Sequence, residues 1–120
     1  MRMFLYGVAL LHAVFMLAEL FPWELPFALK KATAKLPAGH QFTPEQKTLV
    51  ATVVHNAGIY NAILAGGLAW AASTSDVAVD TARVLLAGAA LAGVFGAATL
   101  KSPLTYIQAL AGLAGVWLLR

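Results

Sequence analysis

From Met3 to Phe21 the chain runs through apolar side chains broken only by His12 and Glu19. A membrane-crossing helix needs about 20 mostly apolar residues, and hydrocarbon forces every backbone polar group to bond within its own segment. Three further stretches have the same character. One runs from Thr48 to Ala72 and contains His55, Asn56, Tyr60 and Asn61; the others cover about 77–100 and 103–119. The reading is an all-α integral membrane bundle of four transmembrane helices, spanning about 3–21, 46–72, 77–100 and 103–119. At about 20 residues per crossing little chain is left for links, so residues 1–120 are read as one membrane domain.

Composition excludes the main alternatives. Of the 120 residues, 61% are hydrophobic and 11% charged, against about 45–50% and about 25% in soluble domains. A soluble chain this small has too much surface for its volume to hide so much apolar side chain. The absence of cysteine rules out disulfides, thiolate metal sites and cysteine nucleophiles. The net charge of +3 sits at segment ends rather than on one basic face, so nucleic acid is not an expected partner. The lipid bilayer is.

Local signals mark the helix ends. Thr43-Pro44-Glu45-Gln46 has the pattern of a capping box, with a hydroxyl N-cap, proline at the first helical position and glutamine at the third. The second helix is therefore predicted to start near Pro44, before it enters hydrocarbon. Ser73 to Asp76 offers N-caps for the third helix, and Ser102-Pro103 for the fourth. In the connection from Pro22 to Phe42, Leu25, Leu29, Ala32 and Leu36 recur at helical spacing, with Lys30, Lys31 and Lys35 towards the other side. That pattern predicts a short interfacial helix after the first span, with its lysines at headgroup level. A solvated lysine-rich loop is the alternative, given the prolines at 22, 26 and 37. Arg2 and the apolar run lack a small-x-small cleavage site, so a retained first helix is expected rather than a signal peptide.

Lys30, Lys31, Lys35, Lys47 and Lys101 mark one side of the membrane, and Arg2, Arg83 and Arg120 the other. Five against three favours the long connection in the cytoplasm and the termini outside, in the inner membrane of a bacterium. Small-xxx-small pairs at Ala89/Gly93, Ala92/Gly96, Gly93/Ala97 and Ala111/Gly115, with Gly66 and Gly67, suit close helix packing or a homodimer face.

Polar side chains inside these spans are the candidates for function. His12 and Glu19 lie two turns apart and share a stripe. Ionisable groups in a span normally face a bundle interior or water-filled cavity. Asn56 and Tyr60 share a face of the second helix, with Asn61 beside them, and Gln108 of the fourth helix and Thr99 of the third complete the set. Each amide in hydrocarbon needs a partner. The expected arrangement turns His12 and Glu19 towards Asn56 and Tyr60, making a polar pocket of His12, Glu19, Asn56, Tyr60, Asn61 and Gln108. A network that merely fixes helix packing uses the same residues. No cofactor is called for. The spacing of His12, Glu19 and His55 is not a metal-ligand motif, and no catalytic triad or phosphate loop is present.

The pattern His12-x-x-Phe15-Met16-x-x-Glu19-x-Phe21-x-Trp23-x-x-Pro26 resembles the opening of the small four-helix membrane proteins of domain-of-unknown-function family 1304. Asn56-x-Gly58-x-Tyr60-Asn61, continuing through Leu64-Ala65-x-Gly67-Leu68-x-Trp70, is similar to that family's second helix. Gly93-x-Phe95-Gly96-Ala97-x-Thr99 and Gln108 are similar to its last two. Ala57 and Ala111 stand where the family usually has glutamine and proline. The resemblance implies a membrane fold and no established activity.

The expected function is binding or moving a small, partly apolar molecule at the intramembrane polar pocket. Two alternatives use the same residues. One is a membrane-embedded enzyme of proton-shuttling isomerase type, with His12 and Glu19 moving a proton on a lipid-soluble substrate. The other is a structural or partner-binding subunit.

Overall fold

The computed structural model describes residues 1–21, 34–74 and 78–120. Among them the chain is all-helical, without strands: α1 (Arg2–Leu20), α2 (Pro44–Ser73), α3 (Ala78–Thr99) and α4 (Pro103–Leu118). These helices match the four apolar stretches of the sequence. Three helical segments, Arg2–Leu20, Pro44–Ser73 and Val79–Thr99, are long and apolar enough to cross a membrane. The fourth, α4, has 16 residues, about 24 Å of helix, and stops short of the roughly 30 Å hydrocarbon core. The interfacial helix expected around Leu25 to Leu36 falls largely on residues 22–33, outside the described residues; Ala34 to Gly39 form turns.

Helix ends follow local chemistry. The capping box at the start of α2 is made in both directions. Gln46 N–H donates to Thr43 Oγ1 at 3.3 Å, and Thr43 N–H donates to Gln46 Oε1 at 3.0 Å. At the other end, Ser73 Oγ donates to the Trp70 carbonyl at 2.7 Å and Thr74 Oγ1 to that of Ala71 at 3.4 Å. These hydroxyls occupy carbonyls that the last turn leaves over. Helix α3 ends through Lys101, whose φ of 51° is left-handed, with Leu100 N–H and Lys101 N–H both directed at the Gly96 carbonyl. Ser102 stands at the N-cap of α4 with Pro103 after it, as the sequence predicts. Its side chain makes no capping bond; instead its carbonyl accepts from Thr105 N–H and Oγ1.

The helices divide into two compact units, Met1–His12 with Ile63–Arg120, and Ala13–Ala62. In the first, Leu5, Val8 and Ala9 of α1, Leu68, Ala71 and Ala72 of α2, Ala82 and Leu86 of α3, and Leu119 form one buried apolar cluster. Helices α3 and α4 pack with almost no side chain between them. A Cβ on Gly93 would meet the backbone of Ala109, and one on Gly112 the backbone of Ala90. Removing both side chains is what lets the helices approach this closely, since hydrocarbon supplies no hydrophobic drive between them. Arg83 ties the ends of the pair together: Nη1 bonds Asp80 at 2.7 Å and Nη2 donates to the Leu119 carbonyl. A cation at the C-terminal end of α4 also suits the helix dipole.

The outward faces are apolar. Leu10, Val84, Leu91, Phe95, Leu110 and Trp117 are each more than 60% exposed. A continuous apolar exterior of this kind is what a lipid solvent accepts and water does not.

The second unit pairs the end of α1 with the first half of α2. Gly58 lies so close to α1 that a Cβ there would come within 2.9 Å of Leu20 Cγ and 3.3 Å of Glu19 Cβ. Since α1 ends at Leu20, α2 continues from that contact back to Pro44, about 14 residues or about 21 Å further. The start of α2 at Pro44 agrees with the capping box read from the sequence.

Candidate functional site

The polar centre of the second unit is a hydrogen bond between helices. Asn61 Nδ2 donates to Glu19 Oε2 at 2.7 Å, with both residues half-buried. Its placement follows from Gly58. Asn61 lies one helical turn beyond that glycine and therefore on the same face of α2. The missing side chain brings α1 near enough for a carboxylate and an amide to meet directly. The bond is charge-assisted when Glu19 is ionised, which makes it stronger than an amide–amide contact.

Asn56 and Tyr60 do not share that face. Asn56 is about 140° around the helix from Asn61 at 100° per residue, and it is exposed. Tyr60 is 63% exposed. The expected meeting of Glu19 with Asn56 and Tyr60 is therefore replaced by a meeting with Asn61. Period 3.6 separates Asn56 and Tyr60 from the Ala51, Gly58, Asn61 face.

Asn56 instead contributes to a groove. An open hollow of about 530 Å³ is lined by Leu20, Thr52, Val53, His55, Asn56 and Ile59. Leu20 supplies the α1 wall; its chain neighbour Glu19 does not line the groove. Thr52 Oγ1 donates to the Thr48 carbonyl at 2.9 Å, which leaves its oxygen as an acceptor towards the groove. The walls combine apolar surface from Leu20, Val53 and Ile59 with hydrogen-bonding groups on His55, Asn56 and Thr52. That mixture suits a molecule with a polar group and an apolar body.

His12 and Gln108 belong to the first unit. His12 is wholly enclosed and continues the buried α1 stripe of Leu5, Val8 and Ala9. Gln108 is half-buried beside the Gly93 crossing of α3 and α4. Thr99 is exposed and its hydroxyl donates to the Phe95 carbonyl at 2.8 Å, within its own helix. Among the described residues no three His, Asp or Glu side chains converge as a metal site would require.

Sequence reasoning passed over Leu20, Thr52, Val53 and Ile59. Nothing distinguishes them from lipid-facing residues until α1 is known to end beside them. Gly58 stood within the second-helix motif, but its role as the point of close approach needed the partner helix. Of the glycines expected to pack α2, a Cβ on Gly67 would come within 2.8 Å of Leu85 Cδ1, whereas one on Gly66 would face open space.

Comparison with curated proteins and with solved structures gave no match to this chain. A protein-family model described as a protein of unknown function, DUF1304, matches residues 6–120. That span takes in all the residues of the groove and of the Glu19–Asn61 pair, and the chain belongs to that family.

Proposed function

We propose that this chain is a multi-pass membrane protein, crossing the bilayer with all four helices, and that it binds a small, partly apolar molecule at Glu19, Asn61 and the adjoining groove. The observations that carry the reading are a half-buried Glu19 carboxylate bonded to Asn61 and an open, mixed-polarity groove lined by the next residue, Leu20. Polar and ionisable groups on apolar helices are expensive, and a carboxylate serving only as packing glue is replaceable by a smaller neutral group. The groove between Leu20 and α2 gives these helices room to hold a molecule. For α4 the support is its exposed apolar surface, including Leu110, Leu113 and Trp117, which needs lipid as much as the longer helices do.

Native mass spectrometry of the chain extracted from membranes in mild detergent tests the binding reading. The wild type is expected to retain a small-molecule adduct. Val53→Trp, which fills the groove from an exposed position, is expected to lose it while keeping helicity and melting temperature. A bare wild-type chain, or an adduct equally retained by the variant, would leave the helices with a structural or partner-binding role instead.

A further inference from the structure

One exposed face of α2 carries a repeat of its own. Thr52, Asn56, Ile59, Ile63, Gly66 and Trp70 follow one another at steps of four, three, four, three and four, and all six are exposed. That alternation is the heptad seam along which two α-helices wind about each other. Asn56, Ile63 and Trp70 take one of its two core positions, and Thr52, Ile59 and Gly66 the other. The chain's own helices meet α2 on other faces, where Gly58 lies against Leu20 and Leu68 joins the buried cluster. Helix α2 is the least covered of the three long helices: 11% of its apolar stretch is buried, against 28% in α1 and 33% in α3. A Cβ on Gly66 would stand in open space, with nothing within 4 Å.

Depth makes this face costly to leave against lipid. A crossing takes about 20 residues and α2 has 30, so wherever the bilayer cuts the helix, the central stretch 54–63 lies inside it. Asn56 belongs to that stretch and is turned outward, with two N–H donors and an acceptor oxygen to satisfy. Leu, Val and Phe elsewhere on the exterior ask nothing of acyl chains, but an amide left among them costs several kcal/mol.

An amide is its own complement, since each can donate to and accept from another. A second copy inserted in the same direction is related to the first by a two-fold axis along the bilayer normal, which sets identical residues at the same depth. Such pairing brings Asn56 to the partner's Asn56. A single polar residue among apolar core positions is also what fixes register and selects two strands. A 30-residue helix offers a stripe about 45 Å long and about 11 Å wide. That is about 1,000 Å² for the two copies together, the size at which specific interfaces begin.

We infer that the chain pairs with a second copy of itself through this seam of α2, the two helices parallel and the two Asn56 amides hydrogen-bonded to each other within the bilayer. This rests on the bilayer-crossing part of the reading above and needs no bound molecule. Thr52, Asn56 and Ile59 also line the groove, so the second copy then borders its open side.

The chain has no cysteine of its own, which makes single-cysteine variants a direct test. In membrane vesicles under mild oxidation, Ile59→Cys, Ile63→Cys and Trp70→Cys are expected to give disulfide-linked products of twice the chain mass. Val84→Cys and Leu110→Cys, exposed on α3 and α4, are expected to stay single. Asn56→Leu should raise the dissociation constant, followed by energy transfer between labelled chains in vesicles, at least about threefold, and Asn56→Gln should restore most of the loss. In detergent dilute enough to hold single chains, Asn56→Leu should leave the melting temperature unchanged. Linkage as strong at the α3 and α4 positions, or at none, overturns the seam. Linkage confined to Ile59→Cys means copies running in opposite directions, and it overturns the Asn56 pairing. So does an Asn56→Leu chain that associates like the wild type. A linked product heavier than one chain but not twice its mass assigns the face to another protein and overturns self-pairing. Alkaline carbonate separates the two readings: a wild type stripped from the membrane by it defeats the bilayer crossing itself, whereas a retained chain that does not link defeats the pairing alone.

Discussion

Glu19 of α1 and Asn61 of α2 are joined by a 2.7 Å hydrogen bond across the close helix contact at Gly58. The pair separates two kinds of substitution. Asn61→Ala removes the donor and leaves a half-buried carboxylate to find water, so it should lower stability by about 1–2 kcal/mol. Glu19→Gln keeps an acceptor of the same shape and should lower it by less than about 1 kcal/mol. Asn56→Ala, on the exposed groove side, should change it by no more than about 0.5 kcal/mol. Thermal melts of the three variants in one detergent give the ordering.

Gly58 sets the separation of α1 and α2. Gly58→Ala drives a methyl group against the Leu20 side chain, which can rotate away, and should cost about 1 kcal/mol. Gly58→Leu cannot be absorbed in that way and should part the helices enough to break the Glu19–Asn61 bond. The consequence is checkable: adding Asn61→Ala to Gly58→Leu should lower the melting temperature no further, because the bond is already gone.

The α3–α4 crossing should be far less tolerant than the exposed glycines. A Cβ at Gly93 or Gly112 meets backbone, which cannot rotate aside, so Gly93→Ala and Gly112→Ala should each destabilise by about 3 kcal/mol. Gly66 and Gly88 have nothing within 4 Å of such a Cβ. Alanine at either should be neutral or stabilising by up to about 1 kcal/mol through helix propensity. Melting temperatures of the four alanine variants compare the two classes directly.

Lys101 closes α3 in a left-handed conformation that a side chain resists. Lys101→Gly should raise stability by about 1 kcal/mol, since glycine enters that region without the Cβ clash. A rise in melting temperature with an unchanged helical spectrum is the expected readout.

Much of the fold was legible because it depends on local order. The capping box at Thr43 and Gln46, and the proline after Ser102, act within one turn and leave their mark in consecutive residues. The apolar stretches do so too, since a helix in hydrocarbon satisfies its own backbone. The candidate site was legible only in part. Glu19 and Asn61 stood out as polar groups on apolar helices, but which amide meets the carboxylate depends on the rotation of α2 about its axis. That rotation is fixed by Gly58 against Leu20, a contact between residues far apart in sequence. Grouping Asn56, Tyr60 and Asn61 by proximity in the chain overlooked the wide turn between Asn56 and Asn61. The groove depends on α1 stopping where α2 goes on, and no single segment carries that information.

An experimental structure of the wild-type chain in lipid nanodiscs measures the central claim most directly. The account predicts non-protein density in the groove of Leu20, Val53, Asn56 and Ile59, with Glu19 still bonded to Asn61. Glu19 turned away from Asn61 to bulk headgroups, with the groove closed by the chain's own side chains, would contradict it.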